Sequence, residues 1–135
     1  MRYGHHLFEG IACLWGLDID WVRSLSSAEH HDIVQIHYVS GLDVILEFIK
    51  DIQLPIQFKA YSTVDKEYSV PFTDFFYSFR AMLQAFVTMV ETGKQPIPFQ
   101  GVVGIARIIL AGDISKQMDG AYVSPTSLKS IDNHY

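Results

Sequence analysis

Between Thr73 and Gly93 the apolar residues fall at Phe75, Phe76, Phe79, Met82, Leu83, Phe86, Val87 and Val90, a three-and-four spacing that gathers them on one stripe of an α-helix. Thr73 is placed to cap the N-terminus of that helix. Gly93 stands where a left-handed residue closes one, and Lys94 follows at the negative end of the dipole. Each large side chain contributes ~1.5 to 3 kcal/mol when buried, so the stripe needs a cover, and the segments upstream are expected to supply it as a sheet.

Those segments carry two other periods. Leu7 to Trp15 reads as a short helix, with Leu7, Phe8, Ile11, Leu14 and Trp15 on one side, Glu9 and Cys13 on the other, and Gly16 as a stop. From Ile19 to Val70 the period is two, and strands are expected over roughly 19–25, 32–39, 43–50, 56–63 and 67–71. Ser40-Gly41 and Asp65-Lys66 are turn signals, and Pro55 sits where a strand can begin but not continue. Val34, Ile36 and Tyr38 line one face, followed by Val44, Leu46 and Phe48 and then by Ile56, Phe58 and Ala60, a surface for helices. The opposite face carries Ile33, Gln35, His37, Val39, Ile45, Glu47, Ile49, Gln57, Lys59 and Tyr61, which is too apolar for a face left wholly in water and reads as a subunit interface, the alternative being that single exposed apolar residues are normal on any surface.

After the aromatic helix, the prolines of Thr92-Gly93-Lys94-Gln95-Pro96-Ile97-Pro98 forbid helix until about Phe99. A second helix then carries Val102, Val103, Ala106, Ile109, Leu110 and Ile114 as its stripe, while Gly104 and Gly112 point to close approach of a neighbouring backbone. Gly120 ends the helix or the loop behind it, and Tyr122-Val123 reads as a last short strand. The pattern therefore predicts one α+β domain over residues 1–135: an open, mainly antiparallel meander of about five to six strands, helices on one face, and a homodimer contact on the other.

Composition narrows the partners. With 49% hydrophobic and 19% charged residues the chain is neither disordered nor supplied with a run long enough to span a membrane. A net charge of −5, with ten basic residues scattered along the chain, argues against a nucleic-acid surface. A lone Cys13 cannot form an internal disulfide, and no charged start with an apolar run marks a signal peptide, so a cytoplasmic setting is the default expectation.

Two groups of residues have metal or acid-base chemistry. His5, His6 and Glu9 share a helix start at three- and four-residue spacing, and His30, His31, Asp32 and His37 cluster at a turn and strand start, where solvated polar residues are the simpler reading. Cys13 has no adjacent activating group and is expected to be a small packed thiol. Trp15, Trp21, Tyr38, Phe48 and Phe58 are the types that stack on sugars, although at strand alternation most such residues are core. Arg80 and Arg107 interrupt apolar helical faces and are expected to snorkel.

Two stretches together resemble the C-terminal domain of the glucose-fructose oxidoreductase, inositol dehydrogenase and rhizopine-catabolism family (Gfo/Idh/MocA). Tyr3-Gly4-His5-His6-Leu7-Phe8-Glu9 is similar to that family's Asp-x-Gly-x-His-x-x-Asp segment, with Arg2 where the first acid is usual. Phe79 to Gly93, the Lys94-Gln95-Pro96-Ile97-Pro98 connector, the Val102 to Gly120 helix and Tyr122-Val123 resemble its closing pattern. The resemblance implies a substrate and dimerisation domain of an NAD(P)-dependent oxidoreductase acting on a sugar, cyclitol or similar small molecule. It implies His6 as the catalytic histidine, with Tyr3 and His5 beside the substrate. No Gly-x-Gly-x-x-Gly follows a strand and no Glu-Lys-Pro occurs, so the chain is expected to bind no NAD(P) by itself and to transfer no hydride alone. An upstream segment or a partner chain would carry the nucleotide-binding domain, this chain being the later part of a longer oxidoreductase or a separate frame holding only that part. Two other readings are a standalone, non-enzymatic dimerisation or small-ligand-binding module, and a small cofactor-free enzyme using His6 and Glu9 as acid and base.

Overall fold

A computed structural model describes residues 5–49, 57–64, 66–71 and 74–128. The elements are α1 (His5–Trp15), β1 (Ile19–Ser27), β2 (His31–Tyr38), β3 (Asp43–Ile49), β4 (Gln57–Tyr61), β5 (Glu67–Pro71), α2 (Phe75–Thr92) and α3 (Phe99–Gln117), with a 3-10 turn at Pro125–Ser127. The fold is α+β, and every strand lies within about two residues of its expected place. The described strands are distributed over two antiparallel sheets, ordered β1-β2-β3 and β4-β5. They belong to two compact units, one formed by Met1–Asp51 with Phe99–Tyr135 and the other by Ile52–Pro98.

In the Ile52–Pro98 unit, β4 and β5 pair from Gln57 opposite Pro71 to Tyr61 opposite Glu67. Pro71 takes the end of its strand, where a missing N–H costs the ladder least. Pro55 and Asp65 lie outside the described residues, as does Thr73. The cap of α2 is Asp74, not Thr73: its carboxylate accepts from the Tyr77 N–H at 2.8 Å, meeting one of the unpaired donors of the first turn. Gly93 closes the helix as expected, at φ 68°, its N–H donating to the Met89 carbonyl. Within this unit the described residues give the stripe no cover. Exposure along it runs from 46% at Leu83 to 77% at Phe76, and Phe79, Met82, Phe86, Val87 and Val90 lie between.

The other unit holds the core. Tyr38 to Leu42 reverses the chain between β2 and β3 through Gly41 at φ 86°, as the Ser40-Gly41 signal predicts. Across the ladder Val34 faces Leu46 and Ile36 faces Val44, while Val22 and Ser24 of β1 oppose Ile36 and Val34. The inner face is thus Ile19, Val22, Val34, Ile36, Tyr38 and Leu46, all buried. Helices α1 and α3 cover it. Phe8 and Ile11 of α1 are fully buried, the Phe8 ring stacked 5.9 Å from that of Phe48. Leu14 and Trp15, expected on the same stripe, are exposed, and so is Cys13, which is not the packed thiol expected: it lies on the side of α1 away from Phe8 and Ile11.

The helix α3 turns a different face inward from the one its largest residues suggest. Ile108, Ala111, Gly112 and Ser115 are buried, whereas Val102, Ala106 and Leu110 are exposed. Small residues let the helix sit against the pleat: a Cβ on Gly112 would already be in ordinary contact with Val22 and Val34, at 3.8 and 3.9 Å. Beyond α3, Val123 forms a single antiparallel bridge with Val22, which is all there is of the expected last strand. The N–H groups of alternate residues leave β1 on the same edge. Val22 donates there to the Val123 carbonyl at 2.8 Å, and Ser24 donates to Ser115 Oγ at 2.8 Å. The Ser115 hydroxyl in turn donates to the Ala121 carbonyl at 2.5 Å. Gly120 passes so close behind that a Cβ there would stand 2.7 Å from the Ser24 carbonyl oxygen, and at φ 83° it has the conformation glycine adopts freely. Ser115→Ala is expected to lower the unfolding free energy by about 1 to 3 kcal/mol, because it strips two backbone groups of their partner where little water reaches. Urea denaturation followed by circular dichroism reads the change, and an unchanged midpoint would mean that the strand edge finds another partner.

Candidate functional site

Helix geometry decides where His6 goes. Phe8 and Ile11 anchor α1 on the sheet, and a residue two positions before each is turned by roughly 200° to the far side. His6 and Glu9 therefore face solvent, both about half exposed, with His6 Nδ1 3.2 Å from Glu9 Oε2. An imidazole and a carboxylate at this distance can pass a proton to a third molecule, which is the chemistry expected of the pair. Arg2, Tyr3 and Gly4 lie outside the described residues, and His5 is described only as the first residue of the helix. Two surface grooves, one along Arg80, Leu83, Gln84, Val87 and Thr88 and one along Ser24–Ser27, Lys116, Asp119 and Gly120, do not include His6 or Glu9.

The second sequence cluster is divided by the pleat. Asp32 points inward and is 3% exposed, accepting from Ser27 Oγ at 2.7 Å and from Lys116 Nζ of α3 at 3.1 Å. His31 and His37 point to the other face, where His31 meets Glu47 at 2.8 Å and His37 Nδ1 meets Asp43 at 3.0 Å. Among the described residues no group of three or more His, Cys, Asp or Glu side chains is arranged to hold a metal ion.

That outer face of β1–β3 gathers side chains the sequence keeps far apart. Trp21 lies parallel to the His37 ring, centroids 4.8 Å apart, and edge-on to Tyr122 at 4.7 Å. Arg23 reaches across to donate from Nη1 to the Tyr122 hydroxyl at 2.8 Å and holds its guanidinium 4.7 Å from the ring centroid. Its Nε is buried without a hydrogen-bond partner. Beside this group Gln35 Nε2 and His37 both contact Asp43 Oδ1, each at 3.0 Å. Farther along, Ile45 is 54% exposed, and Val39 and Ile49 are exposed as well. Of the aromatic residues considered for stacking on a sugar, only Trp21 belongs to this outer cluster: Tyr38 is core, its hydroxyl pushed to higher pKa by burial, and Phe48 packs on Phe8. The Arg23 to Tyr122 contact spans 99 residues and has no sequence signal beyond the alternation that puts Trp21 and Arg23 on one face.

Comparison with protein-family models, with curated proteins and with solved structures finds no match to the chain. No helix among the described residues is long and apolar enough to cross a membrane.

The hydrogen bond from His37, and after it the one from Gln35, holds the Asp43 carboxyl below the usual aspartate range. A carboxyl depressed in the folded state adds stability that is complete above its unfolded pKa and is lost as pH falls through the folded one. His37→Ala is expected to raise the Asp43 pKa toward its ordinary value, and Gln35→Leu to raise it less. Carboxyl carbon NMR titration of the two variants reads both shifts, and an unmoved Asp43 in the His37 variant would break the assignment.

Proposed function

We propose that this chain is the substrate-binding and dimerisation portion of an oxidoreductase of the Gfo/Idh/MocA type, that it works as a homodimer, and that it transfers no hydride by itself. The observation that carries the reading is the outer face of β1–β3, where Ile45, Ile49 and Val39 lie exposed around a row of charges that already have partners within the sheet. Apolar side chains beside internally neutralised charges can be desolvated against a like surface without stranding an ion. A two-fold contact is self-complementary by construction, so a second copy of the same face fits it. The fold order adds support: a helix opening on His6, a β-meander and two closing helices joined by a Gly-Lys-Gln-Pro turn follow the family pattern that the sequence resembles.

In this portion His6 is the residue that meets a sugar- or cyclitol-like substrate, with Glu9 Oε2 3.2 Å from its Nδ1. Tyr3 and His5 stand next to it in the chain. NAD(P) is held by a nucleotide domain supplied upstream or by a partner chain, since the chain has no Gly-rich fingerprint of its own.

The test is sedimentation of the full chain with and without NADH. Ile45→Lys, at an exposed site, is expected to halve the sedimenting mass by placing two like charges on the two-fold axis, while NADH neither changes the mass nor shows altered fluorescence. A variant that sediments like the parent, or a chain that binds NADH alone, would overturn the proposal.

A further inference from the structure

We propose that α2 is a second self-association element, pairing antiparallel with α2 of another copy of this chain. The helix is 18 residues long, roughly 27 Å, and carries only two charges, Arg80 and Glu91. Phe76, Phe79, Leu83, Phe86 and Val90 follow one another at three, four, three and four residues, the a and d spacing of a coiled-coil seam, and all five are exposed. Helices with so little charge are ordinarily covered, and the spacing fits another helix better than it fits a flat sheet.

Charge order names the occupant. From Asp74 to Pro98 the charged residues are Asp74, Arg80, Glu91 and Lys94, all exposed, reading minus, plus, minus, plus. Laid parallel on a second copy, each would meet its own sign. Laid antiparallel, Arg80 comes opposite Glu91 of the second copy on one flank of the seam, so the two charges within the helix are matched, while Asp74 caps the helix on the side turned away. The register of this match lies within one residue of that of the seam. Arg80 with Glu91 centres between 85 and 86, and the layers Phe79 with Val90 and Leu83 with Phe86 between 84 and 85. A partner of unrelated sequence has no reason to reproduce this symmetry, whereas a second copy has it by identity.

This contact is independent of the sheet-face pair. With both present the chain forms a four-copy assembly from two kinds of two-fold contact, and each can be removed alone. The experiment is sedimentation equilibrium of the full chain in the parent and Ile45→Lys backgrounds. Leu83→Glu, at an exposed site, is expected to halve the mass in either background. Arg80→Glu and Glu91→Arg singly are expected to weaken the α2 contact about tenfold, since each change brings two pairs of like charges together. The R80E/E91R double variant is expected to restore the parent affinity, with circular dichroism showing that each variant stays helical. Restoration by the swap fits only an antiparallel pairing of like helices. Singles that leave the mass unchanged, or a swap that fails to rescue them, would overturn the proposal, and an α2 covered by its own chain or by another protein would give that result. If Ile45→Lys changes nothing while the swap behaves as stated, the sheet-face reading fails and this one stands.

Discussion

Everything in the larger unit depends on how closely α3 sits against β1 and β2. Ala111, Gly112 and Ser115 present almost no side chain to the sheet, so the helix sits where a single Cβ added at Gly112 would already touch Val22 and Val34. Only then can Ser115 Oγ reach both the Ser24 N–H and the Ala121 carbonyl. A leucine at position 112 would hold the helix off by its own width and break both bonds at once, so the apolar packing and the polar edge are one device rather than two. The same seating brings Lys116, one residue along, over the carboxylate of Asp32.

That ion pair belongs to the sequence-distant logic of the fold. Asp32 occupies an inward position of β2, where the alternation calls for an apolar residue, and it is almost wholly buried. A lone carboxylate there would cost several kcal/mol, the order of the desolvation penalty of one buried ion. Ser27 and Lys116 lower that cost, and Lys116 keeps its stem over the sheet while its head is partly in water. The pair ties the start of β2 to the last turn of α3. A buried charge is poor evidence of net stability, but it sets register, because a shift of β2 by one residue would turn Asp32 to solvent and Ile33 to the core.

Much of this fold was legible in the chain. The period-two stretches gave each strand to within two residues, and Gly16, Gly41 and Gly93 marked the turns and caps they were expected to mark. What failed did so for physical reasons. The cap of α2 was placed at Thr73, although Asp74 lies one residue nearer the first unpaired donors. The stripe of α3 was read from apolar spacing as Val102, Val103, Ala106, Ile109, Leu110 and Ile114, of which Val102, Ala106 and Leu110 are exposed, whereas the buried face of Ile108, Ala111, Gly112 and Ser115 includes a glycine and a serine that an apolar count passes over. Burial on α2 was inferred from its composition, which states that a cover is needed without stating where it comes from. The pairing of His6 with Glu9 followed from spacing alone, whereas the Trp21, Arg23, His37 and Tyr122 group needed the bridge between Val22 and Val123, a contact that no local pattern announces.

The division of labour on α1 shows why a surface pair can be held in place by a core it does not touch. Its inward residues Phe8 and Ile11 are three apart, and so are His6 and Glu9 on the outward side. The ring of Phe8 against Phe48 therefore fixes the rotation of the helix, and with it the direction of the imidazole, although His6 itself is half exposed. The His6–Glu9 contact is too solvated to direct anything by its own energy. The orientation of the exposed pair comes from the two buried residues. A substitution at Phe8 thus reaches His6 through geometry, although the two side chains lie on opposite sides of the helix.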